Sequence, residues 1–344
     1  MDIDILHFGE EIIEGAYLEV PYRGVLRVFN LLGIADLTRD VFVLGSGAVR
    51  GLLAGADLSG VRDFGRACSM LMAVDIGNTQ TVLGFFEDEE LRGRWRITTE
   101  AYRTADELGA VSDGLLRLRG LGLDRVEALI VSSVVPGLNR SYKNMAEQIL
   151  EVPFYQVTAM MQTGLKNRYD DPEAVGADRI VNAVAAGRYY GYPTIIVDFG
   201  TATTVCTVDA EGAYRGGAIL PGLYVALDAL VAQTAKLPGV DLEEEPPKAI
   251  ATNTPDSIRS GFIYGYAGAV DALIRRMSEE LAIGGSTNTP DNASTEDSYE
   301  APEGLCVLAT GGPAPAIVRH CREIDTLDAD LTLKGLRILY ELNA

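Results

Sequence analysis

One short pattern occurs twice in this chain of 344 residues. Ala73-Val74-Asp75-Ile76-Gly77-Asn78-Thr79-Gln80-Thr81-Val82 is matched by Ile196-Val197-Asp198-Phe199-Gly200-Thr201-Ala202-Thr203-Thr204-Val205. In each copy an apolar run ends in Asp-x-Gly, then Asn or Thr, hydroxyl residues and a second apolar run. Alternation and length predict two antiparallel strands joined by a tight turn. Each turn offers a carboxylate suited to a cation, hydroxyl donors, and a glycine that lets a backbone N–H approach a phosphate. Its duplication predicts an α/β protein with two related half-domains facing each other across a nucleotide cleft.

The chain is long enough for two domains with separate cores. Its formal net charge of −20 argues against nucleic acid or an anionic membrane as a partner. An anionic ligand must then be captured by local donors. The four cysteines, Cys68, Cys206, Cys306 and Cys321, have no C-x-x-C spacing and read as reduced intracellular thiols. With only His7 and His320 present, a histidine-rich zinc site is excluded and a Ser-His-Asp triad disfavoured. No secretory pattern or run of transmembrane length occurs, so a cytoplasmic location is expected.

Residues 1–71 read as a separate extension of unknown role, with Met70 or Met72 placed where an independent chain could begin. The run Val41-Phe42-Val43-Leu44 and the glycine-rich Gly45-Ser46-Gly47-Ala48-Val49-Arg50-Gly51 lie in it. The latter reads as a turn, because no strand–helix–strand unit follows. Residues 72–190 and 191–344 read as the two halves. Thr104 and Glu107 have capping-box spacing ahead of Leu108, Val111, Leu115 and Leu118, which recur at helical intervals. Ala128 to Val135 reads as a strand stopped by Pro136-Gly137. A helix is expected from near Asp178 to Gly191. Another runs from an N-cap at Thr254, with Pro255 at N1, to about Ile283. Gly261, Gly265 and Gly268 within it imply close packing against a backbone, inside the fold or across a subunit interface. Residues 284–303 read as a polar loop, and Glu243-Glu244-Glu245 as a solvated charge run.

Two further elements carry chemistry. Cys306-Val307-Leu308-Ala309-Thr310-Gly311-Gly312-Pro313 is a strand ending in glycines that leave room for a flat ring. Val175-Gly176-Ala177-Asp178-Arg179 reads either as a helix start with a favourable acid or as a site. In the second reading Asp178 is a proton acceptor, kept ionised by the helix dipole and by Arg179, whose planar fork suits a carboxylate.

From about Met72 onward the chain resembles type III pantothenate kinase, the first enzyme of coenzyme A synthesis. The resemblance rests on the ordered set Asp75–Thr79, Val175–Arg179, Asp198–Thr204, Gly216-Gly217-Ala218-Ile219-Leu220-Pro221-Gly222, Thr234-Ala235-Lys236-Leu237-Pro238 and Thr310-Gly311-Gly312. It implies two ribonuclease-H-like halves, as in the actin, Hsp70 and sugar kinase superfamily. It also implies ATP, Mg²⁺ and a monovalent cation (K⁺ or NH₄⁺), with pantothenate as acceptor and a homodimer as the assembly. Asp75, Ile76, Gly77, Asn78, Thr79, Gln80, Thr81 and Val82 would form the first phosphate loop, with Asp75 near magnesium. Thr201 would touch ATP, and Asp198 would hold the monovalent cation. Tyr169, Gly176, Ala177, Asp178, Arg179 and Thr234 would bind pantothenate, with Asp178 the general base. On the residues alone, Tyr169 reads as a half-buried aromatic and Thr234 as a helix-end hydroxyl. Two rival readings stand beside this one: a related kinase with a sugar or carboxylic acid acceptor, and a nucleotide-binding regulator without turnover.

Overall fold

In the computed structural model, which describes residues 69–158, 160–244, 248–282 and 301–344 and two short N-terminal strands, both duplicated segments are hairpins. The N-terminal pair, β1 (His7–Phe8) and β2 (Glu11–Ile12), is antiparallel. The glycine-rich segment 45–51, most of the polar loop at 284–303, Glu245 and Cys68 lie outside the described residues. Cys68–Ala344 forms one unit.

The first sheet of that unit comprises β3 (Met70–Ile76), β4 (Gln80–Glu87), β5 (Glu90–Thr98), β6 (Val126–Ser133) and β7 (Phe154–Gln156), in the order β5-β4-β3-β6-β7. β3 runs antiparallel to β4 and parallel to β6. The second sheet contains β8 (Lys166–Asn167), β9 (Thr194–Phe199), β10 (Ala202–Val208), β11 (Ala213–Pro221), β12 (Cys306–Thr310) and β13 (Thr326–Leu327). Its order is β13-β12-β9-β10-β11-β8, with β9 antiparallel to β10 and parallel to β12. Three antiparallel strands followed by two parallel ones, in spatial order 3-2-1-4-5, therefore occur twice. That is the ribonuclease-H-like arrangement, with β8 as an extra edge strand in the second copy.

Strand alternation sorts the side chains between two faces. On β3, Met70, Met72, Val74 and Ile76 enter one core, whereas Leu71 and Ala73 enter another. Asp75 follows the second set, at the strand's carboxyl end. On β9, Ile195, Val197 and Phe199 pack outward and Ile196 inward, so Asp198 shares the inner face.

Helix α1 (Ala105–Arg117) begins with the capping box: the Thr104 hydroxyl accepts from the Glu107 N–H at 3.3 Å, and Glu107 Oε2 accepts from the Thr104 N–H at 2.8 Å. Its buried stripe contains Leu108 and Leu116, while Leu118 caps the end and is 76% exposed. The expected stripe thus fails at its last member, where the helix has stopped. Pro136 ends no strand directly; it opens α2 (Pro136–Asn144), which continues as a π-helical turn over Met145–Leu150.

Helix α3 (Ala177–Tyr190) lies between the sheets and is buried almost all round its middle. Its Val181 and Val184 join the first sheet's inner core, and Ala183, Ala185 and Ala186 the second's. α7 (Leu331–Asn343) returns beside it, with Leu333, Leu336 and Leu339 in the first sheet's inner core. At their crossing a Cβ on Gly335 would lie 2.2 Å from the Val181 carbonyl oxygen, so only glycine lets the backbones approach.

α4 (Leu223–Ala232), α5 (Thr254–Ala282) and α6 (Ala314–Val318) cover the second sheet's outer face. α5 starts one residue earlier than expected. Asn253 provides the cap, accepting from the Asp256 N–H at 3.0 Å, and Thr254 is already helical. Among the described residues, and beyond the helix's own backbone, a Cβ at Gly261, Gly265 or Gly268 would meet nothing within 4 Å. The expectation that these glycines admit another backbone within the fold is therefore corrected.

Candidate active site

The carboxyl ends of β3, β9 and β12 open on a cleft of about 570 Å³, within the range of small-molecule sites. Both duplicated turns form its walls and touch, Thr79 Oγ1 to Thr201 Oγ1 at 3.2 Å. Each turn is buttressed from the third strand of its own sheet. Thr99 donates its N–H to the Thr79 carbonyl at 3.0 Å, and Gly222 does the same to Thr201 at 3.0 Å. The glycine N–H groups close their own turns, Gly77 to the Gln80 carbonyl and Gly200 to the Ala202 carbonyl, both at 3.1 Å. The glycines thus shape the turns, and their own N–H groups are engaged there, so a backbone donor for a phosphate would come from a neighbouring residue of the turn.

Ile76, Gly77, Asn78, Thr79, Gln80 and Val82 line the cleft with Asp75, as does Thr201. Thr81 does not: it is buried beneath the turn, and its hydroxyl meets that of Thr99 at 2.9 Å. Thr310, Gly311 and Gly312 form another part of the wall.

Asp75, Asp178 and Asp198 are half-buried around this space and perturb one another. Burial is the main cause that pushes Asp75 up to about 8, with the charges of Asp178 and Asp198 adding to it. Asp198 is raised to about 7, again by burial first and then by Asp178. Asp178 is raised as well; burial outweighs the backbone N–H and the charge of Arg179, which both act to lower it. The expectation that the helix start and Arg179 keep this carboxylate ionised therefore misjudges the balance, because desolvation is the larger effect.

These carboxylates bind more protons in the folded protein than in the unfolded chain. Their contribution to stability is full below about pH 4 and is lost as pH rises through 7 and 8. The ligand-free protein should show a urea midpoint that falls between pH 5 and pH 8. Asp75→Asn should flatten that slope; an unchanged slope would contradict the burial of this group.

Asp75 and Asp198 suit a cation. Each is a hard oxygen donor facing another carboxylate, and neither has an ion-pair partner among the described residues. Among those residues no three His, Cys, Asp or Glu side chains form a metal cage of their own. Magnesium on a polyphosphate needs only one or two carboxylates besides phosphate oxygens and water.

Asn182, which sequence reasoning missed, lies one helical turn beyond Asp178 on α3. Its Nδ2 donates to Asp198 Oδ2 at 2.9 Å, and its Oδ1 accepts from the Thr332 hydroxyl at 2.8 Å. Thr332 thereby fixes the amide so that its nitrogen faces the carboxylate. The i, i+4 spacing from Asp178 was the available signal.

Gly176 caps α3 and Ala177 opens it, but neither lines the cleft. Arg179 makes no ion pair with Asp178 among the described residues, although its charge acts on that carboxyl. Its guanidinium lies between the rings of Tyr169 and Tyr214, at 5.6 and 5.7 Å, and Nε donates to Cys206 Sγ at 3.2 Å. Its Nη2 is buried without a hydrogen-bond partner. Tyr169 is half-buried beside it. Thr234 lies just past α4, donating its hydroxyl to the Leu230 carbonyl at 2.9 Å, outside the cleft-lining set. Glu243 lines the cleft, and Glu244 pairs with Arg259, so part of the acidic run is engaged rather than merely solvated.

Residues 71–276 match the family model described as type III pantothenate kinase. A protein from Rubrobacter xylanophilus named type III pantothenate kinase is 67% identical over 275 residues, spanning 80% of this chain and 98% of that one. Among solved structures, a Campylobacter jejuni protein described as a conserved candidate Baf family transcriptional activator is 15% identical. It covers 78% of this chain and 97% of its own, with a TM-score of 0.47. A ROK hexokinase from Thermus thermophilus is 14% identical, covers 78% and 98%, and has a TM-score of 0.40. The extent of the family match and of the close relative, over the segment that builds both hairpins and α3, means that this chain belongs to the type III pantothenate kinase family.

Proposed function

We propose that the protein transfers the γ-phosphoryl group of ATP to the primary hydroxyl of pantothenate, giving 4'-phosphopantothenate in the first step of coenzyme A synthesis. The observation that carries this reading is the meeting of the duplicated turns at Thr79 and Thr201 above three interacting carboxylates. In the family reading Asp75 to Gln80, Val82 and Thr201 hold the nucleotide's phosphates, Thr81 supports that turn from beneath, and Thr310-Gly311-Gly312 backs the nucleoside end. Asp75 is the residue suited to magnesium and Asp198 to the monovalent cation, potassium or ammonium. When bound, these cations neutralise charge on the transferring group.

The acceptor hydroxyl attacks the γ-phosphorus, its proton passes to Asp178, and ADP leaves. A carboxylate raised by burial is a stronger proton acceptor than an exposed one, provided it is ionised when substrate arrives. Arg179 offers its unpartnered Nη2 to a polar oxygen of pantothenate, with Tyr169 and Tyr214 holding the guanidinium in place. Gly176 and Ala177 set the helix start from which Asp178 projects.

The division into halves 72–190 and 191–344 belongs to this proposal, with α7 crossing back to the first. So does a homodimer. The open glycine face of α5 and an apolar groove of about 350 Å³ between α4 and α5 fit such a contact. Thr234, outside its own cleft, would then lie near the interface. A cytoplasmic location fits a soluble biosynthetic role; no helix among the described residues is long and apolar enough to cross a membrane.

The direct test is ADP release with and without pantothenate, followed by a panel of sugars and carboxylic acids. Pantothenate-dependent release is expected. Release with another acceptor alone would favour a related kinase, and nucleotide binding without release would favour a regulator. Light scattering that finds an active monomer would remove the dimer.

A further inference from the structure

We propose that Arg96 is a nucleotide-contacting residue that takes the polyphosphate of the bound nucleotide. This deepens the kinase reading above and rests on it. Arg96 lies on β5 opposite Val82, and Arg94 opposite Gly84, so alternation puts both arginines on one face of the sheet. Both line the cleft.

Their charges are answered differently. Arg94 Nη1 pairs with Asp330 Oδ1 at 3.1 Å. Arg96 is exposed and has neither an ion pair nor a side-chain hydrogen bond among the described residues. The chain carries 49 acidic and 29 basic side chains, so a guanidinium left without a carboxylate is not for want of candidates. Asp75 and Asp198 are perturbed by other aspartates rather than by this cation. The cleft therefore has an acidic part and a separate basic wall. A polyphosphate with its cation matches that division: the cation faces the aspartates and phosphate oxygens face the arginine.

The guanidinium lies beside the glycine wall: a Cβ at Gly312 would be in ordinary contact with Arg96 Nη1, at 3.5 Å. Arginine presents its donors as a planar fork that fits two phosphate oxygens, which a lysine ammonium cannot do.

The test is calorimetric titration of the full chain with AMP, ADP and a non-hydrolysable ATP analogue, for wild type, Arg96→Gln and Arg96→Lys. Arg96→Gln should weaken the ATP analogue roughly tenfold or more, a loss typical of a charge-assisted hydrogen bond, and AMP much less. The KM for ATP should rise while that for pantothenate stays put, and Arg96→Lys should recover part of the loss. An equal loss for AMP and the ATP analogue would assign the side chain to the base or to folding and overturn the proposal, as would no loss at all. Wild-type protein that binds nucleotide but shows no pantothenate-dependent turnover would sink the kinase reading while leaving the titration comparison intact.

Discussion

Asp178→Asn should lower turnover by about 10²–10⁴ while nucleotide binding survives, because general-base assistance is worth that much and the phosphate turns do not depend on this side chain. The substitution keeps the size of the group and removes its ability to take a proton. It also removes a negative charge that helps raise Asp75 and Asp198. Cation binding should therefore change less with pH in the variant. The measurement is kcat for ADP release beside calorimetric binding of a non-hydrolysable ATP analogue. A variant that turns over at near wild-type rate would take the proton acceptor's role away from Asp178.

Gly311→Ala should destabilise the protein by about 2 kcal/mol or more and abolish most activity. Gly311 has φ of +97°, a conformation that a side chain strains. An added Cβ would also lie 2.4 Å from the Phe199 carbonyl oxygen and 2.7 Å from Asp198 Oδ1. Relief of those contacts must move β12 away from the end of β9, with which it pairs in register from Cys306 opposite Thr194 to Thr310 opposite Asp198. Both the second phosphate turn and the carboxylate proposed for the monovalent cation would shift. A lowered urea midpoint with an unchanged slope, together with lost turnover, is expected. A wild-type midpoint would mean that the strand end absorbs the methyl group without displacing Asp198.

The parts of this site that were legible in the sequence are those fixed by local pattern. Period-two alternation and the repeated Asp-x-Gly located both hairpins and the two aspartates at strand ends. The Thr104–Glu107 spacing located α1, and a start near Asp178 with a stop at Gly191 bracketed α3 to within a residue. What failed depended on distant segments. The direction of Arg179 is set by Tyr169, Tyr214 and Cys206, none of which is its neighbour in sequence, so its charge still acts on Asp178 but its donors are aimed by residues the local pattern does not reveal. The upward shift of the Asp178 carboxyl follows from its burial, which a helix-start argument does not contain. The three glycines of α5 imply a close backbone only if something packs there, and among the described residues nothing does. Asn182 and Arg96 each carried a readable signal, a four-residue helical step and strand alternation. Neither type of residue looks chemical until the opposite wall of the cleft is in view.

The place of α7 has a consequence for how the protein is made. The inner face of the first sheet is covered in part by residues 331–343, which are translated long after β3 to β7 have left the ribosome. Until then Leu71, Ala73, Phe86 and Ile130 lack that cover, and a nascent chain holds an incomplete first half beside a growing second one. Premature termination before α7 would leave a sticky, chaperone-dependent fragment rather than a smaller working enzyme.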